Sequence, residues 1–431
     1  MSAAMHPGTF RYASLDLDAS SATVRARYEL EGETFEEVAH LPGADLTAPG
    51  AEEAAELYFL LAGVSYYKTR APRHVDLGSL TTSAGDRDFL RTYLLEGLGE
   101  FAWKNDLDLE ALEIHGPEGT PASVTGFDPS AMLIPFGGGL DSIVTVAELA
   151  PQADRAALFV AERPGARFAA IEASAELTGL EVLRAERSLD PKVFESAARG
   201  YLNGHVPVTG VLSALGVLRA VTSGFGALVM SNERSASSPT LEGPRGPVNH
   251  QWSKGREFEE GFRDLLARRL GGFEYFSWLR DRSELSIAEA FSRLEQFHSV
   301  FRSCNRNFHQ DPAHRLEGWC GVCDKCLFIN LALAPHLTPT QLGTIFGGSE
   351  PLANPEMTPQ LEVLCGLSVE PRPFECVGDE AECRVALMQT AQREDRSTSS
   401  IVQSLAARLG SINTTEQHES TFIPERYATR A

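Results

Sequence analysis

Long hydrophobic runs are missing from this chain. No unbroken apolar stretch approaches the ~20 residues a helix needs to cross a bilayer, and Met1 to Tyr12 lacks the basic start and apolar stretch of a secretory signal. These absences predict a cytoplasmic protein with no membrane partner. Positive charge is scarce too: 38 Lys and Arg stand against 59 Asp and Glu, a formal net charge of −21. General nucleic-acid binding relies on neutralising phosphates with Lys and Arg, so no nucleic-acid partner is expected. The seven cysteines are an odd number and unevenly spread, which argues against a secreted disulfide scaffold. No internal repeat is visible, and the oligomeric state is unknown at this stage. What remains is an ordinary globular composition, 43% hydrophobic and 23% charged, over 431 residues, enough for two or three domains.

The most informative stretch is Leu133-Ile134-Pro135-Phe136-Gly137-Gly138-Gly139-Leu140-Asp141-Ser142. An apolar run ends in contiguous glycines, and a helix starts at once. Glycine lets backbone N–H groups turn inward without a Cβ in the way. The helix start adds unpaired N–H groups and a positive dipole end, which together cradle a phosphate. A Gly-Lys-Ser/Thr ending is missing, so this is not a Walker loop. The glycines are contiguous, so it is not a GxGxxG dinucleotide fingerprint. The alternative is a strand-to-helix turn whose glycines serve packing alone. The pattern Gly137 to Ser142 resembles the SGGxDS loop of the PP-loop ATP pyrophosphatases, with Gly137 in the usual serine position. That resemblance implies cleavage of ATP to AMP and pyrophosphate.

Around this loop the chain punctuates itself. Short alternating strands are expected from about 9 to 41, then helices over Ala51 to Tyr67 and Asp88 to Asn105. The polar stretch Gly116 to Ser130 is the first boundary. Strands at Ala131–Phe136, Arg155–Ala161, Leu180–Arg184 and Ala227–Ser231 then alternate with helices at Asp141–Leu149, Arg167–Thr178 and Val211–Val221. That alternation predicts an α/β fold with a parallel sheet covered on both faces. Helices follow at Glu257–Arg269 and Leu285–Phe297, and the tail from Glu394 is expected to be weakly ordered. The expected division is an N-terminal α+β domain over 1–125 as a substrate-side lid, a PP-loop (HUP-like) ATP-binding domain over 126–345, a small C-terminal extension over 346–393, and the tail 394–431.

Cys304, Cys320, Cys323 and Cys326 have the spacing of a structural zinc site, with Lys325 and Arg302 beside them to offset charge. Free buried thiols or a redox pair are the alternatives. Cys376 and Cys383 stand apart and read as core thiols.

Longer segments carry a closer resemblance. They are Val64-Ser65-Tyr66-Tyr67-Lys68, Gly137 to Ser142, Asn203-Gly204-His205-Val206-Pro207, Met230 to Ser237, Val248-Asn249-His250-Gln251-Trp252-Ser253-Lys254, Phe301 to Arg306, Trp319-Cys320-Gly321 and Pro373-Phe374-Glu375-Cys376-Val377-Gly378. Together they resemble the UDP-N-acetylmuramoyl-L-alanyl-L-glutamate epimerase (MurL) family. The resemblance implies ATP- and Mg²⁺-dependent inversion of the terminal L-Glu of UDP-MurNAc-L-Ala-L-Glu, through adenylation of its carboxylate, in peptidoglycan precursor synthesis. Leu140 stands where the family often has lysine, which leaves backbone N–H groups and Mg²⁺ to neutralise phosphate.

Residue chemistry then suggests roles. Phe136, Gly137, Gly138, Gly139 and Ser142 line the phosphate loop; Asp141 orients Mg²⁺ or caps the helix. Asn232, Glu233, Arg234 and Ser235 follow the fourth strand at its ligand-facing end. Arg234 is suited to a departing pyrophosphate, or else to a salt bridge with Glu233 or a helix cap. Tyr66, Tyr67 and Lys68 are placed to close over the sugar nucleotide, or else to pack in the core. Proton transfer at Cα needs a group on each face or one mobile group; the candidates are His205, His250, Lys254, Cys376 and Cys383, with His250 and His205 preferred. The competing functions are another PP-loop adenylating enzyme, of amide-ligase or nitrile-synthase type, and a nucleotide sensor without turnover.

Overall fold

A computed structural model of the chain describes residues 5–243, 246–309, 312–409 and 419–428. Ten strands form one sheet. In chain order they are β1 His6–Asp18, β2 Thr23–Leu30, β3 Glu33–His40, β4 Pro72–Asp76, β5 Glu113–His115, β6 Ala131–Pro135, β7 Arg155–Glu162, β8 Val182–Ser188, β9 Ala227–Met230 and β10 Glu274–Ser277. Across the sheet the order is β10-β9-β6-β7-β8-β3-β2-β1-β4-β5. The strands from β10 to β8 are all parallel. β8 then pairs antiparallel with β3, which continues through the antiparallel β2 and β1. The sheet therefore runs unbroken across residue 125.

Strand chemistry explains the double covering. In β6, Met132 and Ile134 enter one core while Ala131 and Leu133 enter the other. All four are buried, the pattern of a parallel strand covered on both faces. Helices Ala51–Ala62, Val208–Val221 and Arg256–Arg269 supply one core. Leu140–Leu149, Glu284–Ser292 and Asp324–Leu333 supply the other. The strand order reverses between β6 and β9, so loops leaving their carboxyl ends diverge and open a crevice. Ligands bind at such switch points.

Several elements differ from expectation. The first helix stops at Ala62, where Gly63 passes so close to Tyr12 that a Cβ would lie 2.7 Å from its hydroxyl. The second begins at Ala84, four residues early, because Ser83 and Asp86 form a capping box. It breaks after Gly97, which packs on Pro207. Tyr66 and Tyr67 do not close over a ligand: both are fully buried, Tyr66 stacked on Tyr28 with ring centroids 5.0 Å apart. Within the tail, Ser400–Leu409 is helical and buries Val402 and Leu405. Residues 419–428 return to the sheet, with Tyr427 buried against Phe276.

Candidate active site

The glycine loop leaves β6 at the switch point, and each glycine has a different duty. Gly138 sits at φ +69°, and a Cβ there would meet Ser174 Oγ at 2.7 Å and Ala170 O at 2.8 Å. Gly139 faces Ser303 Oγ, 2.9 Å from its would-be Cβ, and Arg302 N–H donates to the Gly138 carbonyl at 3.0 Å. Gly137 has nothing within 4 Å of a would-be Cβ. The loop is thus clamped at two glycines and open at the third. Phe136 keeps its ring in the core, so only its backbone is offered to a ligand. Ser142 Oγ donates to the Gly139 carbonyl at 3.1 Å, fixing the turn.

Asp141 is in the first turn of helix Leu140–Leu149, but no side chain caps that helix. Its Oδ1 is buried and has no hydrogen-bond partner. Burial, and then the negative Glu233, pushes its carboxyl up to about 6 against the pull of Lys325 and Lys254. Glu233 follows β9 and is buried. Glu284, which sequence reasoning missed, is raised well above the carboxylate range by burial and by Glu233 and Asp141. Glu382, also missed, is pushed up to about 7 by burial and Asp379, with Arg234 opposing. Arg234 pairs with Glu382 at 3.3 Å, not with Glu233. Asp141, Glu233, Glu284 and Glu382 therefore act on one another as like charges beside the loop.

Lys325 and Lys254 are the cations that oppose this charge at Asp141. Burial works against the Lys254 charge, yet Cys376, Glu233 and Asp141 outweigh burial and raise its pKa. Its ammonium donates to Cys376 Sγ at 3.2 Å and to Gln251 Oε1 at 3.2 Å. Lys325 was expected to serve the cysteines; its ammonium instead donates to the Cys376 carbonyl. Cys383 lies fully buried in helix Glu380–Ala391, outside this group. Beneath it, the buried Arg280 pairs with Glu259 at 2.8 Å and donates to the Glu233 carbonyl at 2.9 Å and the Lys254 carbonyl at 2.6 Å. One guanidinium fork thereby sets the spacing of both segments.

His205 and His250 adjoin this group. Their ring centroids are 4.2 Å apart. Rings in such contact leave no room for a substrate carbon between them, so they cannot serve its two faces. His250 Nδ1 bonds to Glu100, a carboxylate 150 residues away. Burial raises Glu100, but hydrogen bonds from His250 and Lys104 prevail and hold it at about 2. An ionised carboxylate only accepts, so His250 Nδ1 carries the proton. Burial and the neighbouring His250 lower His205 to about 4. Asn203 is tied to the Lys68 ammonium at 2.8 Å. Asn232 Nδ2 donates to Ser277 Oγ at 3.2 Å, while Ser235 Oγ is buried without a partner.

Cys304, Cys320, Cys323 and Cys326 converge with their sulfurs all within 4.8 Å of one another. Two of the separations are 3.9 and 3.6 Å. A tetrahedron with ~2.3 Å zinc–sulfur bonds has edges of about 3.8 Å. Cys304 directly follows the Arg302–Ser303 segment that clamps the glycine loop.

Comparison with known proteins matches two models to the chain: MurL N-terminal domain over residues 1–278 and MurL C-terminal domain over residues 300–420. A UDP-N-acetyl-alpha-D-muramoyl-L-alanyl-L-glutamate epimerase from Xanthomonas oryzae pv. oryzae is 37% identical over 92% of this chain and 88% of its own. Proteins of the same name from a Micromonospora species and from Salinispora tropica are 37% and 36% identical over 92% of this chain, covering 90% and 88% of theirs. No solved structure matches this chain. Similarity of this extent spans the glycine loop, the Lys254–Cys376 contact and the cysteine cluster alike, and the chain belongs to the MurL family.

Proposed function

We propose that this protein is an ATP-dependent epimerase that inverts the terminal L-glutamate of UDP-MurNAc-L-Ala-L-Glu, in peptidoglycan precursor synthesis. The carrying observation is a glycine loop clamped at the switch point of the sheet, with the buried, unpartnered Asp141 Oδ1 beside it; the Lys254–Cys376 and His205–His250 contacts supply groups suited to proton transfer. The names of relatives at 36–37% identity supply the substrate.

ATP, when bound, would supply adenylation: pyrophosphate leaves as the glutamate carboxylate is adenylated, which cancels its charge and makes the α-proton acidic, and water then cleaves the acyl–phosphate bond to restore the carboxylate and release AMP. The residues present fit a nucleotide. Backbone N–H groups at Gly137 to Gly139 and the following helix start are suited to phosphates. A crevice of about 170 Å³ beyond β7 and β8 holds Phe168 and Phe308, ring centroids 5.6 Å apart, with Arg315 over Phe168. That aromatic lining suits an adenine ring. Asp141, Glu233 and Glu284 would hold Mg²⁺, which relieves their mutual repulsion and neutralises phosphate. Arg234 is suited to the departing pyrophosphate. The four cysteines would hold a structural zinc, a closed site that does not activate water.

The chain's own residues then move the proton. His205 is neutral at physiological pH and able to accept one; the charge that then forms on His205 is steadied by ionised Glu100, which lies across His250. Cys376, with Lys254, takes the opposite face of Cα. Inversion thus uses the histidine pair on one side and the thiol on the other. Label placed as ¹⁸O in the substrate carboxylate tests the adenylation: it is expected in AMP. AMP free of label, with both ¹⁸O atoms kept in the product carboxylate and no solvent oxygen in AMP, would rule adenylation out.

A further inference from the structure

A second cleft opens on the far side of the short helix Gly99–Lys104, the helix whose Glu100 holds His250. It measures about 210 Å³. Trp103 forms one wall and is 42% exposed, although three of its neighbours in that helix are buried. Leu95, Leu109 and Val248 give an apolar floor, and Glu96, Asp106, Asp108 and Glu110 stand around it. Asp106 is held at φ +52°, a left-handed conformation uncommon for a residue with a side chain. Gly243 and Gly246, from a small hairpin, complete the wall; a Cβ on Gly243 would come 3.5 Å from the Trp103 ring.

The lining selects a ligand class. Glu110 pairs with Arg91 at 3.3 Å, which leaves Glu96, Asp106 and Asp108 to repel a diphosphate or a free carboxylate. They accept strongly from hydroxyl and amide donors. An exposed indole beside them offers a flat apolar face to the C–H side of a ring. Together these are the requirements of a neutral, hydroxyl-bearing sugar. Packing relates the cleft to the candidate proton-transfer groups: the Phe374 ring, two residues before Cys376, stands between them, 5.5 Å from Trp103 and 6.0 Å from His250.

We infer that this cleft binds the N-acetylmuramoyl ring of the substrate, with the Trp103 indole under the sugar and the surrounding carboxylates on its hydroxyls and amide. The inference rests on the epimerase reading for the identity of the sugar. It also requires the diphosphate to lie outside the cleft, away from Glu96, Asp106 and Asp108.

Steady-state kinetics on UDP-MurNAc-L-Ala-L-Glu and on the bare dipeptide L-Ala-L-Glu test it. Trp103→Ala and Asp108→Asn are each expected to raise KM for the full substrate about tenfold with kcat within about twofold, the size of a lost stacking or charge-assisted contact. On the bare dipeptide both variants should match the wild type. Saturation-transfer NMR with N-acetylglucosamine gives a readout free of turnover: transfer is expected in the wild type and lost in Trp103→Ala. Unchanged KM in both variants, or equal transfer with and without the indole, overturns the inference. Failure of the epimerase reading would look different, as a wild-type protein that inverts no glutamate while still contacting the sugar.

Discussion

The Lys254 ammonium donates to Cys376 Sγ at 3.2 Å, joining residues 122 positions apart in the sequence. The same ammonium is held charged by Glu233 and Asp141, so the thiol is coupled to the carboxylates beside the glycine loop. On the proposed reading, nucleotide chemistry and proton transfer share this one half-buried cation.

Replacing Cys376 should separate the two activities. Cys376→Ala is expected to lower inversion by about 10²- to 10⁴-fold, the usual worth of a general acid or base. ATP-dependent pyrophosphate release should persist. Solvent deuterium should still wash into Cα from one enantiomer and not the other. Chiral analysis with mass spectrometry reads this directly, and wash-in from both enantiomers at wild-type rates would exclude the thiol.

The glycine loop predicts opposite outcomes at adjacent positions. Gly138→Ala forces a Cβ into Ser174 and Ala170 at positive φ and should destabilise the fold by about 1–3 kcal/mol. Gly137→Ala meets no protein atom and should leave urea stability unchanged. It should still weaken ATP binding, because the added methyl lies in the space left for phosphate.

Proton linkage sets the pH dependence of cation binding. Asp141, one of the carboxyls proposed to hold Mg²⁺, is raised to about 6, and the neighbouring Glu382, which pairs with Arg234 and is not among them, to about 7. A carboxyl raised by folding favours the protonated native state, so its contribution is fullest below about pH 4 and is lost as pH rises through 6 to 7. A divalent cation binds the ionised form and reverses that loss. The Mg²⁺-induced rise in Tm should be small at pH 5 and grow through pH 6–7. Asp141→Asn should flatten the dependence, and a Tm shift equal at pH 5 and pH 8 would contradict it.

How legible was this site in the sequence? The loop was, because contiguous glycines between an apolar strand and a helix leave few alternatives, and the parallel order at the switch point follows from the strand–helix alternation. Glu100, Glu284, Glu382 and Arg280 were not. Each meets its partner through the sheet or across packed helices, as Glu100 meets His250 over 150 residues, and no local pattern marks such a pair. The His205–His250 pair was picked out by residue type, but only ring contact at 4.2 Å shows that the two share one side. Tyr66 and Tyr67 misled for the opposite reason: hydroxyls at a helix end suggest a ligand, while three-dimensional packing buries them against Tyr28 and Phe10.

The cysteine cluster predicts about one zinc per chain by elemental analysis. Cys320→Ser should lose the metal and lower Tm. Its effect on ATP affinity should exceed its effect on sugar binding, since Cys304 anchors the Arg302–Ser303 segment against Gly138 and Gly139.

The most direct test is to incubate the protein with UDP-MurNAc-L-Ala-L-Glu, with and without Mg²⁺ and ATP, then hydrolyse the product and resolve the glutamate enantiomers while measuring pyrophosphate. D-glutamate should form only with ATP present, with pyrophosphate released alongside it. Inversion at the same rate without ATP, or pyrophosphate release with no D-glutamate, would contradict an ATP-driven epimerase.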